Sequence, residues 1–305
     1  MKITPSNANL KSWSKQVPLR GDLLFFRRAT RKLATRTSAP VLTAQEARAQ
    51  ALDIWKLSDR SWYGYSLNKA TYAVFLPRGG VEVLDASLIN QLGAEQARLG
   101  VPSLVRSELL SRSLKSCFRE VGKFRWITSQ AFWALNRSER IEVMNAWMIQ
   151  NKIHFYESVA LNKVPPQPLA LLKAAKLSKL LNKYAKTSGP NCLAATAAAI
   201  TRNPKFAQQW LHWGPLETLL RSRRFIACAS SKPSPGDVLV FFRQGEAVHS
   251  AFYIGSGLYF EKPGQDFYEP YRIEHFAAWK KEWVGCSLTV YRQVRAPTRT
   301  ERAHK

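Results

Sequence analysis

The chain has 305 residues, with 46 Lys and Arg against 21 Asp and Glu, a net charge of +25 and a hydrophobic content of 46%. That much apolar material excludes a disordered polybasic tail and leaves room for one large domain or two ordinary ones. Four cysteines, at 117, 192, 228 and 286, form no CxxC pair, which excludes a zinc-ribbon pattern, and in so long a chain they do not form a disulfide framework.

Residues 1–60, 61–165 and 166–305 carry net charges of +8, +5 and +12, so no single tail accounts for the excess. It points to an anionic partner, such as nucleic acid, lipid head groups or an acidic polymer, and is silent about fold. The N-terminus MKITPSNANLKSWSKQ lacks the apolar stretch of a secretory signal, and nowhere do 18 apolar residues run together. A cytoplasmic protein without a transmembrane segment is therefore expected, and a protein exported by a dedicated machine has the same signature.

In chain order, residues 1–42 are polar and basic, contain Pro5, Pro18 and Pro40, and read as a partly ordered arm. Within them Gly21-Asp22-Leu23-Leu24-Phe25-Phe26 echoes Gly236-Asp237-Val238-Leu239-Val240-Phe241-Phe242, with no second shared feature. Thr43 and Glu46 have capping-box spacing for a helix over 44–57. Residues 71–86 predict a hairpin around Pro77-Arg78-Gly79-Gly80. Helical patterns follow near 91–98, 104–120, 129–134 and 138–151, making 43–165 a mainly helical region with one hairpin. The proline-rich Val164–Pro168 segment cannot lie inside a helix and marks a domain boundary.

Beyond it, 169–186 predicts one amphipathic helix bearing Lys173, Lys176, Lys179, Lys183 and Lys186. Two readings stand: a core-packed helix with a solvated lysine face, and a membrane-surface helix. Further helices are predicted from Cys192 to about Thr201, over 205–212 and over 215–224. Strands follow at 238–242, 248–254 and 258–262, then a helical stretch at 273–281 and a last strand, Ser287–Val294. Helices first and sheet second make an α+β domain over 166–295, with a basic tail at 296–305.

Cys192 alone among the cysteines sits where a nucleophile is built. Asn191 suits an N-cap, so Cys192 falls in the first helical turn, where unpaired N–H groups and the helix dipole stabilise a thiolate. The competing reading is a buried structural cysteine, assigned here to Cys117, Cys228 and Cys286. A base must come from elsewhere in the chain. His249 stands at the head of an alternating strand, sharing a face with Ala251 and Tyr253, while Val248, Phe252 and Ile254 point the other way. If Gly255-Ser256-Gly257 closes a three-residue hairpin loop, Tyr253 pairs with Tyr259 and Ala251 with Glu261, bringing Glu261 to the His249 face. A two-residue loop would turn Glu261 away.

A cysteine at a helix start, then Pro235-Gly236-Asp237 leading a strand, then His249-Ser250-Ala251-Phe252-Tyr253-Ile254-Gly255, then a polar group twelve residues after the histidine, resembles the NlpC-like papain-fold superfamily, which includes the CHAP amidohydrolases. The resemblance covers about residues 185–295. It implies a papain-like domain with helices packed on an antiparallel sheet, Cys192 as nucleophile, His249 as base and Glu261 as orienting group. The implied activity is hydrolysis of an amide bond in a peptide or peptidoglycan-type substrate, without a cofactor. Asn191 stands where many members carry aspartate. Trp210, Trp213, Tyr253, Tyr259 and Lys262 are the candidate substrate-binding residues around the cleft. No His/Cys cluster has metal-ligand spacing and no glycine-rich phosphate loop precedes a helix. The competing class is a non-catalytic basic module that holds an anionic polymer or nucleic acid on the same scaffold.

Overall fold

The computed structural model describes residues 1–17, 21–43, 46–47, 70–151, 156–228 and 232–294. The chain divides into two compact units: Thr4–Phe155 with Lys186–Ser188, and Met1–Ile3 with Tyr156–Ala185 and the residues from Gly189 onward. Met1–Ile3 joins the second unit because Lys2–Ile3 pairs antiparallel with Tyr156–Glu157. The division thus falls nine residues before Pro165, at a point the proline pattern does not mark.

In the first unit, the segment read as a basic arm contributes a helix, Asn7–Trp13, and a strand, Gly21–Phe26, every residue of which is buried. Tyr72–Pro77 does not form a hairpin within 71–86. It lies between Gly21–Phe26 and Val41–Thr43 in a three-stranded antiparallel sheet. The chain leaves Pro77 through a turn in which Gly80 donates to the Pro77 carbonyl and Gly79 has φ +85°, and it enters helix Ala86–Leu99 at the Asp85 cap. Buried Gln96 on that helix bonds both the N–H and the C=O of Phe25, locking helix to strand. The predicted helix at 104–120 is instead the strand Leu104–Arg106, a helix Arg112–Cys117 opened by Ser111, and the strand Arg119–Val121. Both strands flank Phe124–Trp126, a pairing that helical periodicity cannot foresee. Helices Ser129–Ala134 and Arg137–Gln150 form where expected. The Thr43–Glu46 capping box is present, each backbone N–H donating to the other's side chain. The rest of the 44–57 helix, apart from 46–47, lies outside the described residues, as does the 296–305 tail.

The second unit is α+β. Its labelled elements are α1 (Pro166–Ala174), α2 (Cys192–Thr201), α3 (Trp213–Ser222), β1 (Phe225–Cys228), β2 (Val238–Arg243), β3 (Glu246–Gly255), β4 (Leu258–Glu261), β5 (Arg272–His275), α4 (Phe276–Glu282) and β6 (Ser287–Gln293). One antiparallel sheet runs in the order β5-β4-β3-β2-β6-β1. The 169–186 helix stops at α1: Lys176 and Asn182 adopt left-handed φ of +59°, and Leu177 and Leu181 are buried from turns. The five lysines are exposed as expected, but 169–186 is not one continuous helix, so they do not line a single helical face. Among the described residues no helix is long and apolar enough to cross a membrane. The predicted helix at 205–212 shrinks to a single 3₁₀ turn, Phe206–Gln208, because Gln209 is already extended. The 273–281 stretch begins as β5, since Arg272–His275 completes the ladder with β4.

Helix α2 is buried from Cys192 through Ile200, and Ala194, Ala195, Ala197 and Ala198 have no solvent exposure. Small side chains let it lie close on Val238, Val240, Phe252 and Phe260 of the sheet. Ala198→Leu must therefore overpack this contact. It is expected to destabilise the protein by about 1–3 kcal/mol, read as a lowered urea midpoint.

Candidate active site

Asn191 caps α2 by accepting the Ala194 N–H at 3.0 Å, and its amide donates to the Leu211 carbonyl at 2.7 Å. Cys192 is thereby placed at the first helical position. One turn later, Thr196 and Ser250 share a buried hydroxyl hydrogen bond of 2.9 Å, which fixes α2 along β3.

On β3, a bulge falls at Val248: Phe241 pairs with His249, whereas Phe242 pairs with Ala247. Val248 thus packs on the same side as Ala251 and Tyr253, not the opposite side. At the far end, the loop is the two-residue turn Ser256-Gly257, with φ of +54° and +73°, as a type I′ hairpin requires. Gly255 pairs with Leu258, yet Tyr253 still pairs with Tyr259, because Ile254 bulges out between them. Turn and bulge together have the register of the three-residue loop, so Glu261 comes to the His249 face.

The β3–β4 ladder ends at Phe252 and Phe260. Beyond it Ala251 has no paired Glu261; the strands are bridged by side chains instead. His249 Nε2 and Glu261 Oε2 lie 2.6 Å apart, both side chains 1% exposed. Where the ladder stops, the Cys192 thiol accepts a hydrogen bond from the Ser250 N–H and engages the His249 ring. The structure thus brings Cys192, His249 and Glu261 together.

Two further partners complete the site: the sequence suggested Arg272 only as a cleft-lining residue and did not single out Trp283. Arg272 Nε donates to Glu261 Oε1 at 2.7 Å, and its guanidinium also meets Glu274 at 3.4 Å. The sequence pattern placed Arg272 beside a helical stretch rather than on a strand next to β4. Trp283 stacks on the His249 ring with centroids 4.6 Å apart and planes 16° from parallel. It also stacks on Phe241, at 5.8 Å. Tryptophan after α4 was indistinguishable from ordinary core in the sequence.

Burial opposes every charge here, and the neighbours overcome it. Burial raises the Cys192 thiol, but the His249 charge and hydrogen bond outweigh that and leave it below its ordinary value. Burial likewise disfavours the imidazolium, yet Cys192 and Glu261 raise His249 to about 10. Glu261, also opposed by burial, is held below the carboxylate range by His249 and Arg272. These directions favour a thiolate–imidazolium pair backed by a carboxylate and a guanidinium.

The surrounding candidates divide. Trp210 is half-buried, tilted 45° against exposed His212 with centroids 4.8 Å apart, on the segment that Asn191 ties beside Cys192. Trp213 instead packs inward, edge-on to Phe242 at 5.2 Å, because α3 starts there and turns it onto the sheet. Tyr253 is buried and its hydroxyl accepts the Gly257 N–H at 2.9 Å, so it serves the turn. Tyr259 has no exposure and lies in the core beneath Trp283. Lys262 also has none, its ammonium donating to the carbonyls of Gly264 and Asp266 at 2.7 and 2.8 Å. Tyr253, Tyr259 and Lys262 are thus buried, whereas Trp213 is half-buried like Trp210. The remaining cysteines are not core thiols: Cys117 is exposed, and Cys228 and Cys286 are half-buried. Among the described residues no three His, Cys, Asp or Glu side chains are grouped to hold a metal ion.

The chain matches no protein-family model and no curated protein.

Because Glu261 favours the charged ring, its neutralisation lowers the pH at which His249 gives up its proton. In Glu261→Gln, an NMR titration of the His249 ring is expected to move from about 10 downward by about one pH unit or more. An unmoved titration would contradict this charge assignment.

Proposed function

We propose that the second unit is a cysteine-dependent amidohydrolase with a papain-like arrangement, acting on a peptide or peptidoglycan-type amide bond. The observation that carries this reading is the buried Cys192–His249–Glu261 constellation, in which a cysteine at a helix start meets a histidine whose ring lies 2.6 Å from a carboxylate. A structural cysteine needs neither a protonated histidine nor a carboxylate behind it.

In this reading the Cys192 thiolate attacks the carbonyl carbon, forming a C–S bond while the carbonyl π pair moves onto oxygen. The Cys192 N–H, at the start of α2, donates to that oxyanion. As the tetrahedral adduct collapses, the C–N bond breaks and the His249 imidazolium passes its proton to the departing amine. Neutral His249 then takes a proton from water, whose oxygen attacks the thioester. The second collapse releases the carboxylic acid and restores the thiolate. Glu261 holds Nε2 throughout, so the proton work falls to the Nδ1 side, and Arg272 keeps Glu261 ionised and in place. Trp283 covers one ring face and excludes water from it, and the Trp210–His212 shelf offers an apolar surface to the substrate beside the nucleophile.

The exposed lysines Lys173, Lys176, Lys179, Lys183 and Lys186 support association with an anionic polymer as an accessory to catalysis. A non-catalytic polymer-binding module would show the same salt dependence without a reactive thiol.

Titrating iodoacetamide reactivity against pH distinguishes the two. With alkylation read on the Cys192 peptide by mass spectrometry, wild-type Cys192 is expected to react with a midpoint at least one pH unit below that of His249→Ala, while Cys192→Ala leaves only the ordinary alkylation of Cys117, Cys228 and Cys286. Against a library of amide substrates, including peptidoglycan fragments, Cys192→Ala and His249→Ala are each expected to reduce turnover by at least about 10²-fold. Equal midpoints in wild type and His249→Ala would overturn the enzymatic reading.

A further inference from the structure

A lysine with no solvent exposure is costly, and Lys262 has none. It follows Glu261 directly. Phe260 belongs to the core on the α2 side and Glu261 faces His249, so alternation returns Lys262 to the α2 side, where Cys192 lies. There its ammonium donates to the Gly264 and Asp266 carbonyls, with Glu269 Oε2 at 3.9 Å. The loop it closes is tightly drawn. Glu269 accepts the Asp266 N–H at 2.8 Å, and a Cβ at Gly264 would come within 2.5 Å of the Glu269 carboxylate. The same loop bonds the nucleophile's own turn: the Gly189 N–H donates to the Gln265 carbonyl at 2.8 Å, three residues before Cys192.

We infer that Lys262 is a positioning residue for the Cys192 nucleophile: its buried ammonium ties down the loop under the Gly189–Asn191 turn and supplies a second positive charge to the thiolate. This rests on the reading of Cys192 as a thiolate nucleophile. His249 alone faces that thiolate with a positive charge from β3, and Glu261 behind it adds a negative one. On the loop side, Lys262 faces Cys192, Glu261, Asp266 and Glu269. Lys262 and Cys192 lie close enough for their charges to act on each other, and burial is what lowers the lysine from its ordinary value.

The test compares iodoacetamide pH–rate profiles of the full-length wild type, Lys262→Arg, Lys262→Gln and Lys262→Met. Lys262→Gln retains a donor for the loop carbonyls and removes only the charge. Removing the charge is expected to move the Cys192 midpoint upward by about one pH unit. Below both midpoints, alkylation should then slow about tenfold. Lys262→Arg should restore most of the wild-type profile. A purely structural lysine would instead give Lys262→Gln a lower melting temperature with an unmoved midpoint, and that result would overturn the inference. If Lys262→Met fails to fold, Lys262→Gln and Lys262→Arg still carry the comparison. A wild-type midpoint no lower than that of His249→Ala would overturn the functional reading itself. A low wild-type midpoint that Lys262→Gln leaves in place would overturn only the role of Lys262.

Discussion

A carboxylate with no contact with water must be surrounded by positive charge, and Glu261 has two cations within 2.7 Å, His249 on one oxygen and Arg272 on the other. Removing either partner leaves an uncompensated buried charge, which typically costs about 3–5 kcal/mol. The rest of the site extends the same alternation, from the Arg272 guanidinium through Glu261 to His249, whose pKa is raised, and Cys192, whose pKa is lowered. Each group is opposed by burial and stabilised by the next. The three strands that contribute it, β3, β4 and β5, are therefore tied to a single register, since a slip of one residue would bury a lone charge.

That register is reached by compensation. The turn Ser256-Gly257 is one residue shorter than the alternating pattern required, and by itself it would send Glu261 to the wrong face. The bulge at Ile254 adds the residue back. At the other end, the bulge at Val248 adjoins His249, which itself pairs with Phe241. Two bulges flanking one catalytic-looking segment show local irregularity used to aim side chains, which regular pairing cannot do. The gap where β3 and β4 part company then admits a thiol from a helix on the other side of the sheet.

The Gly-Asp echo between Gly21-Asp22 and Gly236-Asp237 has more physical content than its sequence suggests. Both aspartates are buried at the head of a strand, and both accept from a backbone N–H, Asp22 from Ser129 and Asp237 from Ser234. Their charge partners differ. Asp237 is paired with Arg292 at 2.7 Å, whereas Asp22 bonds the Ser129 hydroxyl and is pushed by burial to about 7. Similar strands thus sit in two sheets with different surroundings, and the motif marks a strand start, not a chemistry.

Local pattern was sufficient for what depends on local physics: the N-cap that places Cys192 first on its helix, the Thr43–Glu46 capping box, the strand carrying His249, and helices Ser129–Ala134 and Arg137–Gln150. Turn chemistry and alternation also brought Glu261 to the histidine face, although the loop that does so was misjudged in length. Tertiary structure decided the rest. It ended the 169–186 helix because Leu177 and Leu181 are buried better from turns than along a helix, and it made strands of Leu104–Arg106 and Arg272–His275 because distant partners pair with them. It also placed Arg272 behind Glu261, Trp283 over His249 and the Lys262 ammonium on the Gly264 and Asp266 carbonyls. Composition counts Arg272 and Lys262 with the solvated majority, and the motif that singled out Lys262 did so as a substrate contact, not as a buried loop tether. A charge becomes part of a site only when folding removes its water and selects its neighbours, and neither event is written in local sequence.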